Sequence, residues 1–150
     1  GGSVDDANAL EVNEATATVV YSTLAAGTVT AVGLACSNPI TVDVRNSFIV
    51  SRGVDATGGF DVTCGEATVS YTATESDVTG DGNSALGEMP TTMTELWFAG
   101  YGAGDFHLTS PPITVATTAQ WADGDPATDI DGDARPTTDG FADAAGADVP

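Results

Sequence analysis

Two stretches of this chain read as versions of one another. CSNPITVDVRNSFIVSRG begins at Cys36, and CGEATVSYTATESD begins at Cys64. A weaker third version, NEATATVVYSTLAAG, begins at Asn13. Tyr21, Arg45 and Tyr71 can be set in register with Val20, Val44 and Ser70 before them and Ser22, Asn46 and Thr72 after. The offsets are then 24 residues (45 minus 21) and 26 residues (71 minus 45). A unit of short β-type runs that returns every ~20–30 residues cannot bury its apolar side alone and must stack on its neighbours. The expected fold is therefore all-β: a short right-handed parallel β-helix of about three coils. A β-sandwich is the runner-up, and the near-constant spacing counts against it.

Strand-like runs fall at residues 10–12, 16–24, 28–35, 40–44, 47–51, 60–63 and 67–74, rich in Thr and Val. Their corners carry Gly, Asn and Asp, and no stretch has the apolar period of an amphipathic helix. After Glu75 the character changes. Residues 76–89 form a glycine- and acid-rich loop. Leu96, Trp97 and Phe98 follow as an apolar block, and residues 113–115 are the last strand candidate. Residues 117–150 are almost wholly Ala, Asp, Gly, Thr and Pro. They have too few large apolar groups for a core of their own and must either lie along the stack, held by Trp121, Ile130 and Phe141, or stay loose. The organisation expected is coils with a terminal plug over 1–116 and an extended acidic tail over 117–150.

Three arginines (Arg45, Arg52, Arg135) and no lysine face 22 acids, for a formal net charge of −19. Such a chain repels nucleic acid and anionic membranes, whose binding rests on Lys and Arg. No run of ~18 apolar residues could span a bilayer as a helix. The natural partners are cations, Ca²⁺ above all. The competing view is that most of the acids serve only solubility, as in a protein of salty surroundings. The chain opens on GGSVDD without a Met, which reads as a processed product or as the end piece of something longer.

The two cysteines are either free buried thiols or a disulfide. Equivalent positions on adjacent coils lie about 4.8 Å apart, within bridging distance. The alignment sets Cys36 two residues out of register with Cys64, a slip absorbed at Asn38 and Pro39. The bridge is the favoured reading and would imply an oxidising, extracellular or periplasmic setting.

The order of motifs resembles the C-terminal end of secreted right-handed parallel β-helix proteins, the pectate-lyase-like group of bacterial surface and polysaccharide-active proteins. Val44-Arg45-Asn46-Ser47 is similar to a VRNS-type run of that group, and residues 67–71 (ATVSY) to the coil that follows. Gly80-Asp81-Gly82-Asn83 looks like the glycine-rich link to an apolar block such as Leu96-Trp97-Phe98. Residues 104–111 (GDFHLTSP) resemble a GDYxLxxxSP segment, and residues 129–136 (DIDGDARP) a terminal DxDGxxRP stretch. The resemblance runs from about Leu10 to the end. It departs at Ala99-Gly100, where an acid is usual, at Pro112 and at residues 119–123. Enzymes of the group that cleave uronate polymers use a Lys or Arg base and often Ca²⁺. No such constellation can be placed here, and a fold alone supplies no activity.

Two acidic stretches are candidate Ca²⁺ sites. DVTGDGNSALGE puts Asp77, Thr79, Asp81, Asn83 and Glu88 at the ligand spacing of an EF-hand loop, although helices do not flank it and Thr79 is a poor ligand. Asp129, Asp131 and Asp133 crowd together and repel unless a cation or Arg135 intervenes. In both places the alternative is a solvated turn capped by Asp.

His107 is the single histidine, without the further ligands that Zn²⁺ needs. No GxSxG elbow is present. Trp97 and Phe98 read as the plug closing the coil end, and Tyr101 as a surface contact, for example to carbohydrate. Ser22, Asn46 and Thr72 suggest an inward polar ladder at a corner, with Arg45 stacked between Tyr21 and Tyr71.

Two functions follow as expectations. One is a non-catalytic extracellular or cell-surface module, structural or binding, stabilised by Ca²⁺ and self-associating through coil ends into a homo-oligomer or filament. The other is the C-terminal piece of a polysaccharide lyase or hydrolase whose catalytic coils lie upstream.

Overall fold

The computed structural model describes residues 8–26, 31–51, 61–76, 78–87 and 95–150. Most of its regular structure is β, and the main sheets are parallel. The chain winds three times through three sheets in the same order. The first winding supplies β1 (Leu10–Asn13), β2 (Thr16–Val20) and β3 (Thr23–Ala25). The second supplies β4 (Leu34–Ser37), β5 (Thr41–Arg45) and β6 (Phe48–Val50). The third supplies β7 (Val62–Thr63), β8 (Thr68–Ser70) and β9 (Ala73–Thr74). Sheet order is β1-β4-β7, β2-β5-β8 and β10-β9-β6-β3, where β10 is Ser84–Ala85.

The register departs from the sequence alignment by one residue. Val20 pairs with Arg45, and Arg45 with Ser70. Tyr21, Asn46 and Tyr71 are therefore the equivalent corner positions, 25 residues apart each time (46 minus 21, 71 minus 46). All three have left-handed backbones, with φ of 45°, 54° and 49°. Conformation, not side-chain likeness, is what repeats. The next position is Ser22, Ser47 and Thr72, and it forms a hydroxyl ladder. The Ser22 N–H donates to Ser47 Oγ (3.3 Å) and the Ser47 N–H to Thr72 Oγ1 (3.3 Å). Each hydroxyl donates two residues back, to the carbonyls of Val20, Arg45 and Ser70. The ladder ends on Asn83, whose Oδ1 accepts the Thr72 N–H (3.0 Å).

Asn83 belongs to a short cut. β10 pairs with β9 at an offset of only 11 (84 minus 73), so the chain crosses the end of the stack instead of completing a fourth winding. Gly82 takes the corner place with φ of 68°. A Cβ there would lie 2.4 Å from the Tyr71 ring, so glycine is required for the ring to pack over it.

Inside the windings, Val12, Val19, Leu34, Val42, Val44, Ile49, Cys64 and Val69 form one core, with Val78 of the short cut against it. Cys36 and Cys64 are disulfide-bonded, with Cα atoms 4.7 Å apart. They are in register, since the pairing of Leu34 with Val62 and Ala35 with Thr63 runs on to them. Arg45 lies nine residues after Cys36 (45 minus 36) but its partner Ser70 only six after Cys64 (70 minus 64), and the second winding absorbs the difference around Asn38, as expected, where φ is 48°.

A second core lies outside the third sheet. Phe48 and Val50 alternate with Ile49 and face away from the windings, onto Trp97, Phe98, Tyr101, Leu108, Val115, Trp121 and Ala145. The aromatic block thus covers a side of the stack. It does not plug the end, where Val78 sits instead. Its rings meet at centroid distances of 5.4–5.9 Å, mostly edge-on or tilted. The hairpin β11 (Phe98–Gly100) and β12 (Asp105–Leu108) carries it. Residues 113–115 are not a strand: Ile113 is exposed, and Val115–Thr118 is a helical turn leading to β13 (Ala119–Gln120), which pairs with β14 (Ala142–Asp143).

All three residues of β6 are fully buried, so both faces of one strand are in use. Phe48→Ala should cost about 3–5 kcal/mol in a denaturant titration, while Ile113→Ala should stay within about 0.5 kcal/mol. Equal effects would contradict this placement of the second core.

Candidate functional site

Among the described residues, polar side chains concentrate in three places: a buried seam between the corner of the second winding and the C-terminal segment, an exposed acidic patch around His107, and a buried cluster of Ser51, Asp61, Thr74 and Glu75 with half-buried Ser76.

At the seam the Asn46 side chain points outward, not into a ladder along the axis. Its Oδ1 accepts the Gln120 N–H (3.0 Å) and its Nδ2 donates to the Gln120 carbonyl (2.9 Å). The amide thereby pairs with the main chain of β13 as a strand would. The Asn46 carbonyl accepts the Gly146 N–H (3.0 Å). A Cβ on Gly146 would lie 2.8 Å from Thr23 Oγ1 and 3.1 Å from Phe48 Cβ, and its φ is 104°, so this approach needs glycine. Beside Asn46, the guanidinium of Arg45 makes a two-pronged pair with the Asp125 carboxylate. Asp125 Oδ2 also accepts from Asn46 Nδ2 (3.2 Å) and the Ala122 N–H (2.8 Å). The Asp125 pair holds the Arg45 pKa above its ordinary value.

Arg135, not Arg45, stacks on a tyrosine, with its guanidinium carbon 4.2 Å from the Tyr21 ring centroid. It pairs with Asp143 (3.1 Å) and donates to the carbonyls of Ala144 (3.2 Å) and Gly146 (2.8 Å). Burial, then the Asp143 carboxylate, pushes the Tyr21 phenol well above its usual range. Tyr101 is also buried, and its hydroxyl donates to the Ala26 carbonyl (2.6 Å). It packs on Phe98 and Phe106 and offers no surface for carbohydrate.

The acidic patch is formed by the turn at Asp129 against β12. Asp129 Oδ1 accepts the N–H groups of Asp131 (2.9 Å) and Asp133 (2.8 Å), and its Oδ2 accepts that of Val149 (3.0 Å). Burial raises its pKa, but these N–H donors outweigh burial and the net shift is downward. His107 Nδ1 lies 2.5 Å from Asp105 Oδ1 and its Nε2 3.3 Å from Asp131 Oδ1. Asp148 is buried next to them; its Oδ2 accepts the Leu108 N–H (2.5 Å), and desolvation raises its pKa.

The candidate metal ligands fare unevenly. Asp77 and Glu88 lie outside the described residues. Asn83 spends its oxygen on Thr72 and its Nδ2 on the carbonyls of Val69 and Val78. The Asp81 carbonyl accepts the Tyr71 N–H (2.8 Å), and Thr79 is exposed. Of the second set, Asp129 is committed to its turn, Asp131 to His107, and Asp133 is exposed. Among the described residues no three His, Cys, Asp or Glu side chains converge as a metal site. Gly82 before Asn83, placed like Tyr71 before Thr72, is the sequence signal that could have assigned Asn83 to the corner ladder.

No family model, curated protein or solved structure matches the chain.

Two measurements check this geometry. The hydrogen bond to Asp105, then the Asp131 charge, raises the His107 pKa. The imidazole should therefore titrate above about 6.5 by NMR and fall back in Asp105→Asn. Any stability that the contact adds is present below about pH 6.5 and fades as pH rises through the higher folded-state pKa. In the buried pair, Arg135→Met strands Asp143 and should cost about 3–5 kcal/mol; adding Asp143→Asn should recover part of it.

Proposed function

We propose that this chain is a non-catalytic structural or binding module, a short right-handed parallel β-helix that works outside the cell and extends by adding further windings to its first one. The observation that carries this reading is the outer edge of β1, β2 and β3. Each is the terminal strand of its sheet, and among the described residues no strand pairs with that edge. Their combined length exceeds that of β7, β8 and β9 at the far end. Open parallel edges invite another strand. A second copy joined head to tail would make a contact that need not close, and so a filament.

The charge of −19 makes such contacts repulsive in dilute buffer, so divalent cations or salt should promote them. The Cys36–Cys64 disulfide suits an oxidising, extracellular location, and no helix among the described residues is long and apolar enough to cross a membrane. The non-catalytic part of the reading is supported by the fate of the arginines. Among the described residues, Arg45 and Arg135 are both held by carboxylates, which leaves neither as the base that a uronate lyase would need; Arg52 lies outside the described residues.

Sedimentation velocity over a range of protein and CaCl₂ concentrations tests the reading. Species larger than a monomer should grow with both, and EDTA should reverse them and lower the melting temperature. A monomer at every concentration would sink self-association and favour a first winding covered by upstream residues of a longer chain.

A further inference from the structure

The disulfide sits where the stack is most weakly tied. The first and second windings share four, five and three residue pairs in the three sheets; the second and third share two, three and two. β7 has the least to hold it for its place in the wall. Its upstream end is pinned by buried Asp61. Asp61 Oδ1 accepts the Ser51 N–H (2.7 Å), Oδ2 accepts the Ser76 N–H (2.7 Å) and hydroxyl (3.0 Å), and its carbonyl accepts the Leu34 N–H (2.9 Å). Its downstream end re-enters a sheet at Thr68 in β8. Between these anchors, residues 62–67 make two strand pairs and a turn in which the Ala67 N–H donates to the Cys64 carbonyl (3.0 Å). Its other ties to the second winding are the apolar packing of Val62, Cys64 and Ala67 in the inner core and the covalent bond of Cys64 to Cys36.

This segment is one wall of a cleft of about 350 Å³. Val69 of β8 and Val78 and Thr79 of the short cut also line it. Cys36 is half-buried against the inner core, while Cys64 is buried and lines the cleft.

We propose that the Cys36–Cys64 bond is a thiol-sensitive latch on this cleft, and that its reduction frees residues 62–67 while Asp61 and β8 hold the segment's two ends. A dithiol thiolate attacks Cys36 Sγ, and the Cys64 thiolate leaves. The second thiolate of the reductant then displaces Cys36, so two electrons pass to the protein sulfurs, each takes up a proton, and the reductant ends as a cyclic disulfide. The wall loses its one covalent bond to the second winding, keeps two strand pairs and its apolar contacts, and swings on Asp61. The apolar lining at Val69 is uncovered, and the cleft becomes a site whose size depends on the redox state of its surroundings.

Hydrogen exchange read by mass spectrometry, on the full chain with and without dithiothreitol, tests this directly. Amides of residues 62–67 should exchange at least about tenfold faster in the reduced protein, those of β2, β5 and the C-terminal segment at an unchanged rate, and reoxidation should restore protection. Unchanged exchange at 62–67 would overturn the proposal. So would a uniform loss of protection across the chain, which would make the bond a global staple. Cys36→Ser/Cys64→Ser should reproduce the local pattern without reductant. Because the first comparison uses the unaltered protein, it remains decisive if that variant does not fold.

Discussion

The contact on which the rest of the structure depends is the pairing of the Asn46 side chain with the main chain of Gln120. Residues 117–150 hold few large apolar groups, too few for a core of their own. They need a polar anchor on the windings, and the corner at Arg45 and Asn46 provides it. The corner must turn left-handed, which asparagine tolerates better than most residues. That turn directs the amide outward, where it acts as a length of strand. Arg45 then neutralises Asp125 beside it, and Arg135 does the same for Asp143 on the far side of Tyr21. In a chain with three cations, two of them are placed in this one seam, so a strongly acidic segment can lie against the body without being expelled.

The docked segment gives the third sheet its second covering. One strand, β6, serves two cores: Ile49 packs among the windings, while Phe48 and Val50 meet the aromatic hairpin. The end of the stack is handled differently. The chain abandons its full winding and sends Val78 across the interior, then rejoins the corner through Gly82 and Asn83. Side and end are thus closed by separate devices, an aromatic layer for one and a short cut of chain for the other.

The repeat was readable from the sequence because stacked windings must present β-prone runs at a near-constant interval. Its register was misread by one residue because Tyr21 and Tyr71 invite alignment with bulky Arg45. Backbone conformation matches them instead with Asn46, and φ is not written in side-chain size. The cysteine pair was readable as two thiols on adjacent windings, whereas its exact alignment depended on how many residues bulge around Asn38. The acidic motifs were harder still. Oxygen-bearing side chains at regular spacing suit a cation and suit a turn equally well; at Asn83 and Asp129 the side-chain oxygens accept backbone N–H groups of their turns. That residues 117–150 lie along the stack was legible from their want of large apolar groups, and Trp121 is buried there, but Ile130 and Phe141 are exposed. The polar anchor left no mark in the sequence, because it joins residues more than seventy positions apart and one partner contributes only peptide atoms.

That last point bears on how sequences of this shape can diverge. The anchor reads peptide groups at position 120, not the side chain, whose own bond is one exposed contact to the Gly140 carbonyl. Position 120 is therefore free to drift among residues that keep an extended backbone. Position 46 is not: it must supply a donor, an acceptor and a left-handed turn together, a combination that asparagine meets and few other residues can. One half of the contact is constrained in its side chain and the other only in its backbone, so the two need not co-vary.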